Sequence, residues 1–347
     1  MSPSHEILKT AIKADVPVLL WGQPGTGKTA VIKKMALTEG AHLETLIGST
    51  LDPVDVCGMP VPHEGRVKLA PPAWAERIKI KIESGKRAWL FLDELSCAPP
   101  SVHAAFLRIV NDRQVGELNL SGMRVIAASN RADMAADGGF LSGAMANRWA
   151  HADWTISADE WCAGQLSGWG KNLEAQEIVH AAGVCAFVRR KPDILLSPPK
   201  QTEDAGGAWP SPRSWSAAIA LLSHSTKENF EALAASVVGN GAAREYAEFF
   251  LTLSLPDPED VLSGRAVLPT RGDQMTAALG SLVSSALLPR PDREKRVKTA
   301  WHILGNIRPD QALASAKTLL LGAPENVQPE TIALGKKILG VKKYGDD

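Results

Sequence analysis

Short apolar runs alternate with amphipathic stretches through the first 155 residues. Runs at 16–21, 43–47, 88–92, 124–128 and 150–154 read as strands, and helical stretches separate them. That alternation is the signature of a parallel sheet with crossover helices. Two places interrupt it: 57–69, with Gly58, Pro60, Pro62 and Gly65, and 114–123, with Gly116 and Gly122. Both predict small hairpins inserted into the larger fold. Beyond residue 155 the strand signal fades and helical periodicity takes over. The Pro- and Gly-rich stretch 192–212 reads as a long loop or mobile connection. Ser211-Pro212 then supplies an N-cap and a first-turn proline for a helix carrying Trp215, Ala218, Ile219 and Leu222 on one face. Further helices are predicted at 228–238, 242–251, 273–286, 293–304, 309–321 and 329–339, with a frayed end at 342–347.

Composition narrows the function classes. The chain has 347 residues, enough for two or three domains, with 38 basic and 38 acidic side chains. That balance argues against a nucleic-acid or acidic-membrane partner. Cys57, Cys97, Cys162 and Cys185 form no C-x-x-C pair and have no His at metal-ligand spacing, which argues against structural zinc and for a reducing compartment. No leader-like start and no apolar run of membrane-spanning length is present in the sequence, so we expect a soluble, cytoplasmic protein.

The chemistry is concentrated after the first strand. Gly22, Gln23, Pro24, Gly25, Thr26, Gly27, Lys28 and Thr29, followed by Ala30, read GQPGTGKTA. The pattern G-x-x-x-x-G-K-[ST] turns backbone N–H groups around a phosphate chain, with Lys for the terminal phosphates and a hydroxyl for Mg²⁺. A second apolar strand ends in Asp93-Glu94. One carboxylate beside a phosphate loop holds the metal through its water shell, and a second can act as general base toward the attacking water. Asn130 ends the strand at 124–128 and either orients that water or closes a turn. Arg148 is a surface residue, an interface residue, or a cation that stabilises phosphoryl charge.

In order along the chain, GQPGTGKT, LFLDEL, AASN, ANRW and SPRSW resemble the AAA+ ATPases. The two hairpins, with Gly58-Met59-Pro60 and Pro71-Pro72-Ala73-Trp74 flanking the first, are similar to the MoxR type within that superfamily. The resemblance spans about residues 5 to 225. It implies an α/β P-loop core with a five-stranded parallel sheet at 1–155, a helical lid at 156–226, and a helical region of unassigned role at 227–347. By the same resemblance Lys28, Thr29 and Asp93 hold ATP and Mg²⁺, Glu94 faces the lytic water, and Asn130 is sensor 1. Arg148 becomes an arginine finger for the neighbouring subunit's nucleotide, and Arg213 a sensor 2 on the lid. A shared site implies a homo-oligomeric ring, commonly a hexamer.

The expected function is therefore an ATP-hydrolysing motor that remodels or activates a protein partner, with a von Willebrand A-domain protein among the candidates. Two alternatives remain: a nucleic-acid-dependent NTPase, such as a loader or restriction-type GTPase, and a nucleotide-dependent scaffold with little turnover. The insert 54–72 carries no aromatic residue, unlike the pore loops of polypeptide-threading machines. The cluster Arg77, Lys79, Lys81, Lys86 and Arg87 is interleaved with Glu76 and Glu83 and reads as a solvated helix face. Trp149, Trp154, Trp161 and Trp169 are expected to pack where core and lid join.

Overall fold

The computed structural model describes residues 3–130, 141–170, 173–199, 206–253 and 255–323. The chain divides into two units, Met1–Thr155 and Ile156–Asp347. The first runs α1 (Pro3–Ala14), β1 (Val18–Trp21), α2 (Lys28–Thr38), β2 (His42–Ile47), α3 (Pro53–Cys57), β3 (Met59–His63), β4 (Arg66–Ala70), α4 (Ala73–Glu83), β5 (Ala88–Asp93), α5 (Pro100–Asp112), β6 (Gln114–Val115), β7 (Leu118–Asn119), β8 (Met123–Ser129), α6 (Gly143–Ala146) and β9 (Ala150–Asp153). Five strands form one sheet in the order β2-β5-β8-β1-β9, every pairing parallel. All five coincide with the apolar runs. β1 begins two residues late because Pro17 has no N–H for a ladder.

Strand alternation sorts the core into two layers. Val18, Leu20, Trp89, Phe91, Ile126 and Ala128 pack on Leu8, Ile32 and Ala36 of α1 and α2. Leu19, Leu90, Leu92, Val125 and Ala127 pack on Trp74, Ile78, Val102 and Phe106 of α4 and α5. Burial on both faces is why these strands read as continuous apolar runs. Both predicted hairpins are present as antiparallel pairs, β3 with β4 and β6 with β7. They touch: Lys68 pairs with Glu117 at 3.4 Å, and a Cβ on Gly116 would lie 3.3 Å from that of Leu69. The basic cluster lies on the solvated face of α4 and in the turn after it, with Arg77 bonded to Glu44, Lys79 to Glu83 and Arg87 to Glu39.

The second unit contains α7 (Ala158–Leu166), α8 (Ala175–Arg190), α9 (Pro212–Leu222), α10 (Phe230–Val238), α11 (Asn240–Leu251), α12 (Pro258–Leu262), α13 (Gly272–Leu287), α14 (Arg293–Gly305) and α15 (Pro309–Gly322). One cluster joins Leu166, Phe187, Trp215, Val238, Tyr246 and Ala277; a second joins Val261, Leu282, Trp301 and Leu319. Ser211 caps α9 as its sequence suggests, accepting from the Ser214 N–H. The described parts of 192–212 form the expected loop, with Ile194 and Leu195 buried in a short 3₁₀ turn and Ser197 N–H donating to Pro210 O. The four tryptophans do not share one cluster. Trp149 and Trp154 belong to opposite faces of the sheet, Trp161 to the helical core, and Trp169 is 43% exposed, lying over Gly164. The expected helix at 329–339 and the terminus at 342–347 lie outside the described residues. Among the described residues no helix is long and apolar enough to cross a membrane.

Candidate nucleotide-binding site

Parallel register brings the ends of four strands, β1, β8, β5 and β2, to one edge of the sheet. Trp21 pairs with Ser129, Leu92 with Ala127, and Ile47 with Asp93. Residues just past those ends therefore converge at the carboxyl edge, where open α/β sheets bind ligands. Gly22 follows β1 and has no room for a side chain, since a Cβ would lie 2.6 Å from Trp154 O. Gly25 and Gly27 take φ of 76° and 85°, left-handed values that turn the loop into α2. Gly27 is the N-cap of that eleven-residue helix. The helix start directs free N–H groups and a positive dipole toward the loop, a setting suited to phosphate.

Lys28 is 8% exposed and folds back over the loop. Its Nζ donates to Gly22 O at 2.8 Å, Gln23 O at 3.0 Å and Asn130 Oδ1 at 2.9 Å. Thr29 Oγ1 donates to Asp93 Oδ2 at 2.7 Å. The hydroxyl and carboxylate predicted to share a metal thus already meet across 64 residues of sequence. Glu94 has φ 54°, and its N–H donates to Asp93 Oδ1 at 3.1 Å. A non-glycine residue in that region is strained, and such strain concentrates at functional sites. Ser49 Oγ donates to Glu94 Oε2 at 2.8 Å, and Gly48 makes this approach possible, because a Cβ there would meet Glu94 O at 2.7 Å. The loop after β5 is fixed from behind: Ser96 N–H donates to Ser129 Oγ, and His103 Nε2 bonds to Leu95 O.

Lys28, Thr29, Asp93 and Asn130 are joined by direct hydrogen bonds, and Glu94 adjoins them. Arg148 points elsewhere in its own chain, with Nε donating to Asn111 Oδ1 at 2.7 Å and Nη1 to Ala144 O. Arg213 is exposed in the first turn of α9, in the second unit. Sequence reasoning placed Gln23 in the loop and Trp154 among packing residues, but missed Ser49 and the bond by which Trp154 holds the loop. Trp154 Nε1 donates to Thr26 O at 3.1 Å from a side chain 3% exposed, bracing the loop from below. The signal in the sequence was position: Trp154 immediately follows the strand that pairs with β1. Gln23 Oε1 is buried without a hydrogen-bond partner.

The residues present fit a magnesium-bound nucleoside triphosphate. Glycines clear the backbone, a lysine ammonium and a helix start face the same loop, and a hydroxyl–carboxylate pair stands beside them. Among the described residues no group of three His, Cys, Asp or Glu side chains can hold a metal unaided. A cation here would need phosphate oxygens and water for most of its shell, as Mg²⁺ at nucleotide sites does.

Fold and site together define a P-loop nucleotide-binding core with AAA+ strand order, followed by a helical region. Residues 17–148 match the family model of the AAA domain, dynein-related subfamily. Among solved structures the chain is similar to the RuvB Holliday junction branch migration motor of Thermotoga maritima, at 16% identity over 84% of this chain and 89% of that one, TM-score 0.38. A point mutant of the same RuvB aligns at 16% identity over 88% of this chain and 95% of that one, TM-score 0.39.

Proposed function

We propose that this protein is an ATP-hydrolysing, ring-forming motor of the MoxR type that remodels or activates a protein partner. The observation carrying this reading is the hydrogen-bonded set Lys28–Asn130 and Thr29–Asp93 beside the strained Glu94. Lys28 binds the terminal phosphates, and Thr29 with Asp93 holds Mg²⁺, which supplies charge neutralisation at the phosphates when bound. Glu94 accepts the proton of the attacking water on a side-chain oxygen, Oε1 being the one that Ser49 leaves free. Asn130, released from Lys28, orients that water. Arg148 serves the neighbouring subunit's site as an arginine finger, and Arg213 serves its own chain's nucleotide as sensor 2. The two touching hairpins support an interaction role for that part of the first unit, and the insert's lack of aromatic side chains favours remodelling over threading. A von Willebrand A-domain protein is the partner class that the MoxR likeness suggests.

Phosphate release from ATP by the wild type and by Glu94→Gln tests the reading. The wild type is expected to turn over, while Glu94→Gln retains ATP with turnover lowered by about a hundredfold or more. Glu94→Gln held in its ATP state is then the bait for the protein partner. Equal turnover by the two proteins would remove Glu94 from its role. Stimulation by DNA or RNA with steep salt dependence would favour the nucleic-acid class instead.

A further inference from the structure

Arg148 follows the four-residue helix α6, and its backbone is held on both flanks. Met145 and Trp149 are buried in the core of the first unit. Arg148 N–H donates to Met145 O, and Trp149 N–H to Ala146 O, each at 3.3 Å. Ala146 O, the last carbonyl of the helix, accepts a second bond from His151 Nε2 at 2.9 Å. The opposite ring nitrogen of His151, Nδ1, accepts from the Trp21 indole N–H at 2.7 Å, with the two rings within 5° of parallel. The two bonds together assign the tautomer: Nδ1 is bare and the proton sits on Nε2. Trp21 is the last residue of β1, and Gly22 opens the phosphate loop. A continuous hydrogen-bonded path therefore runs from the residue before the loop to the carbonyl two residues before Arg148.

His151 is exposed on the edge strand β9. A β-branched residue would suit the strand at least as well. What an imidazole adds is a rigid body with a donor and an acceptor on opposite sides, which fixes a distance. We propose that His151 is a positioning residue: with Trp21 it forms a strut that sets the backbone of Arg148 relative to the phosphate loop of the same subunit. The proposal rests on the reading of Arg148 as a finger for the neighbouring site. Its guanidinium is engaged with Asn111 and Ala144 O and must leave them to reach outward. The strut keeps the backbone in place while the side chain swings.

Mixed assemblies test this. Glu94→Gln subunits keep the finger but cannot hydrolyse; Arg148→Ala subunits keep a complete site but lack the finger. Mixing them is expected to restore turnover at sites that borrow the neighbour's Arg148. Adding His151→Phe to the Glu94→Gln subunit should lower the restored kcat about tenfold with KM for ATP unchanged, since small misplacements of a catalytic group cost one to two decades. Adding it to the Arg148→Ala subunit leaves no finger to misplace, and turnover should equal that of the parent mixture. His151→Gln, which carries an acceptor and a donor on one side chain, should recover part of the loss in the first arrangement. Equal effects in both arrangements, or none in either, overturn the strut. Absence of turnover from the parent mixture overturns the finger reading itself, and the strut with it.

Discussion

Lys28→Met is the sharpest probe of the phosphate loop, because the structure fixes what the ammonium gives up as well as what it gains. Nζ donates to two backbone carbonyls and to Asn130 Oδ1. Bonds from an ammonium to neutral carbonyls are already charge-assisted and contribute about 1.5–3 kcal/mol each; an anionic oxygen about 3 Å away adds roughly 1–1.5 kcal/mol of attraction under water-like screening. Exchanging two neutral acceptors for phosphate oxygens therefore gains roughly 2–3 kcal/mol. Losing that exchange predicts a Kd for ATP weakened about 30- to 150-fold, smaller than a bare lysine–phosphate count would give. Met keeps most of the stem volume, so the loss to the fold should be confined to the bonds that Nζ makes. Titration of a fluorescent ATP analogue with Mg²⁺, alongside calorimetric unfolding, measures both. A Kd within about twofold of wild type, in a variant that unfolds normally, would refute the argument.

Other positions give independent tests. Trp154→Phe leaves Thr26 O without its donor and should cost about 1–2 kcal/mol of stability and weaken ATP binding several-fold; unchanged affinity by the same titration would deny the brace. His180 is 7% exposed against Phe230 and Phe250, and burial pushes its pKa down to about 4. The unfolded chain binds this proton near pH 6.5 while the folded chain does not, so stability should fall as pH drops from 6.5 to about 4, by about 3 kcal/mol in all, and His180→Phe should flatten denaturant midpoints over that window. Glu259→Gln strips Arg296, 9% exposed, of a two-point partner at 2.6 and 2.8 Å. Chemical denaturation should show a loss of about 2–4 kcal/mol, discounted for the partly exposed carboxylate, and no loss would mean solvent replaces the pair.

The sheet was legible because burial on both faces leaves apolar runs with no competing reading, and its phosphate loop because glycines at left-handed φ and a lysine leave few alternatives. Both hairpins showed through Gly and Pro punctuation. The loop at 192–212 showed in its Pro–Gly content, which signals irregular backbone but says nothing of the apolar Ile194 and Leu195 buried in its described part. The contacts of Ser49, Trp154 and His151 were invisible for a common reason: each depends on a hydrogen bond formed across 45 to 130 residues, and no local pattern encodes such a partner. Asp93 and Glu94 were legible as a pair of carboxylates at a strand end because that adjacency is local; which of their oxygens are bonded is not. The same distinction separates Lys28 from Arg148. Lys28 acts within a loop whose shape its own neighbours dictate, so one sequence suffices to place it. Arg148 acts, on the proposed reading, upon a site belonging to another copy of the chain, and only its backbone is fixed by its own fold. A residue in that position needs something to hold it in register with the loop it does not serve, and the hydrogen-bonded path through His151 to Trp21 provides that hold.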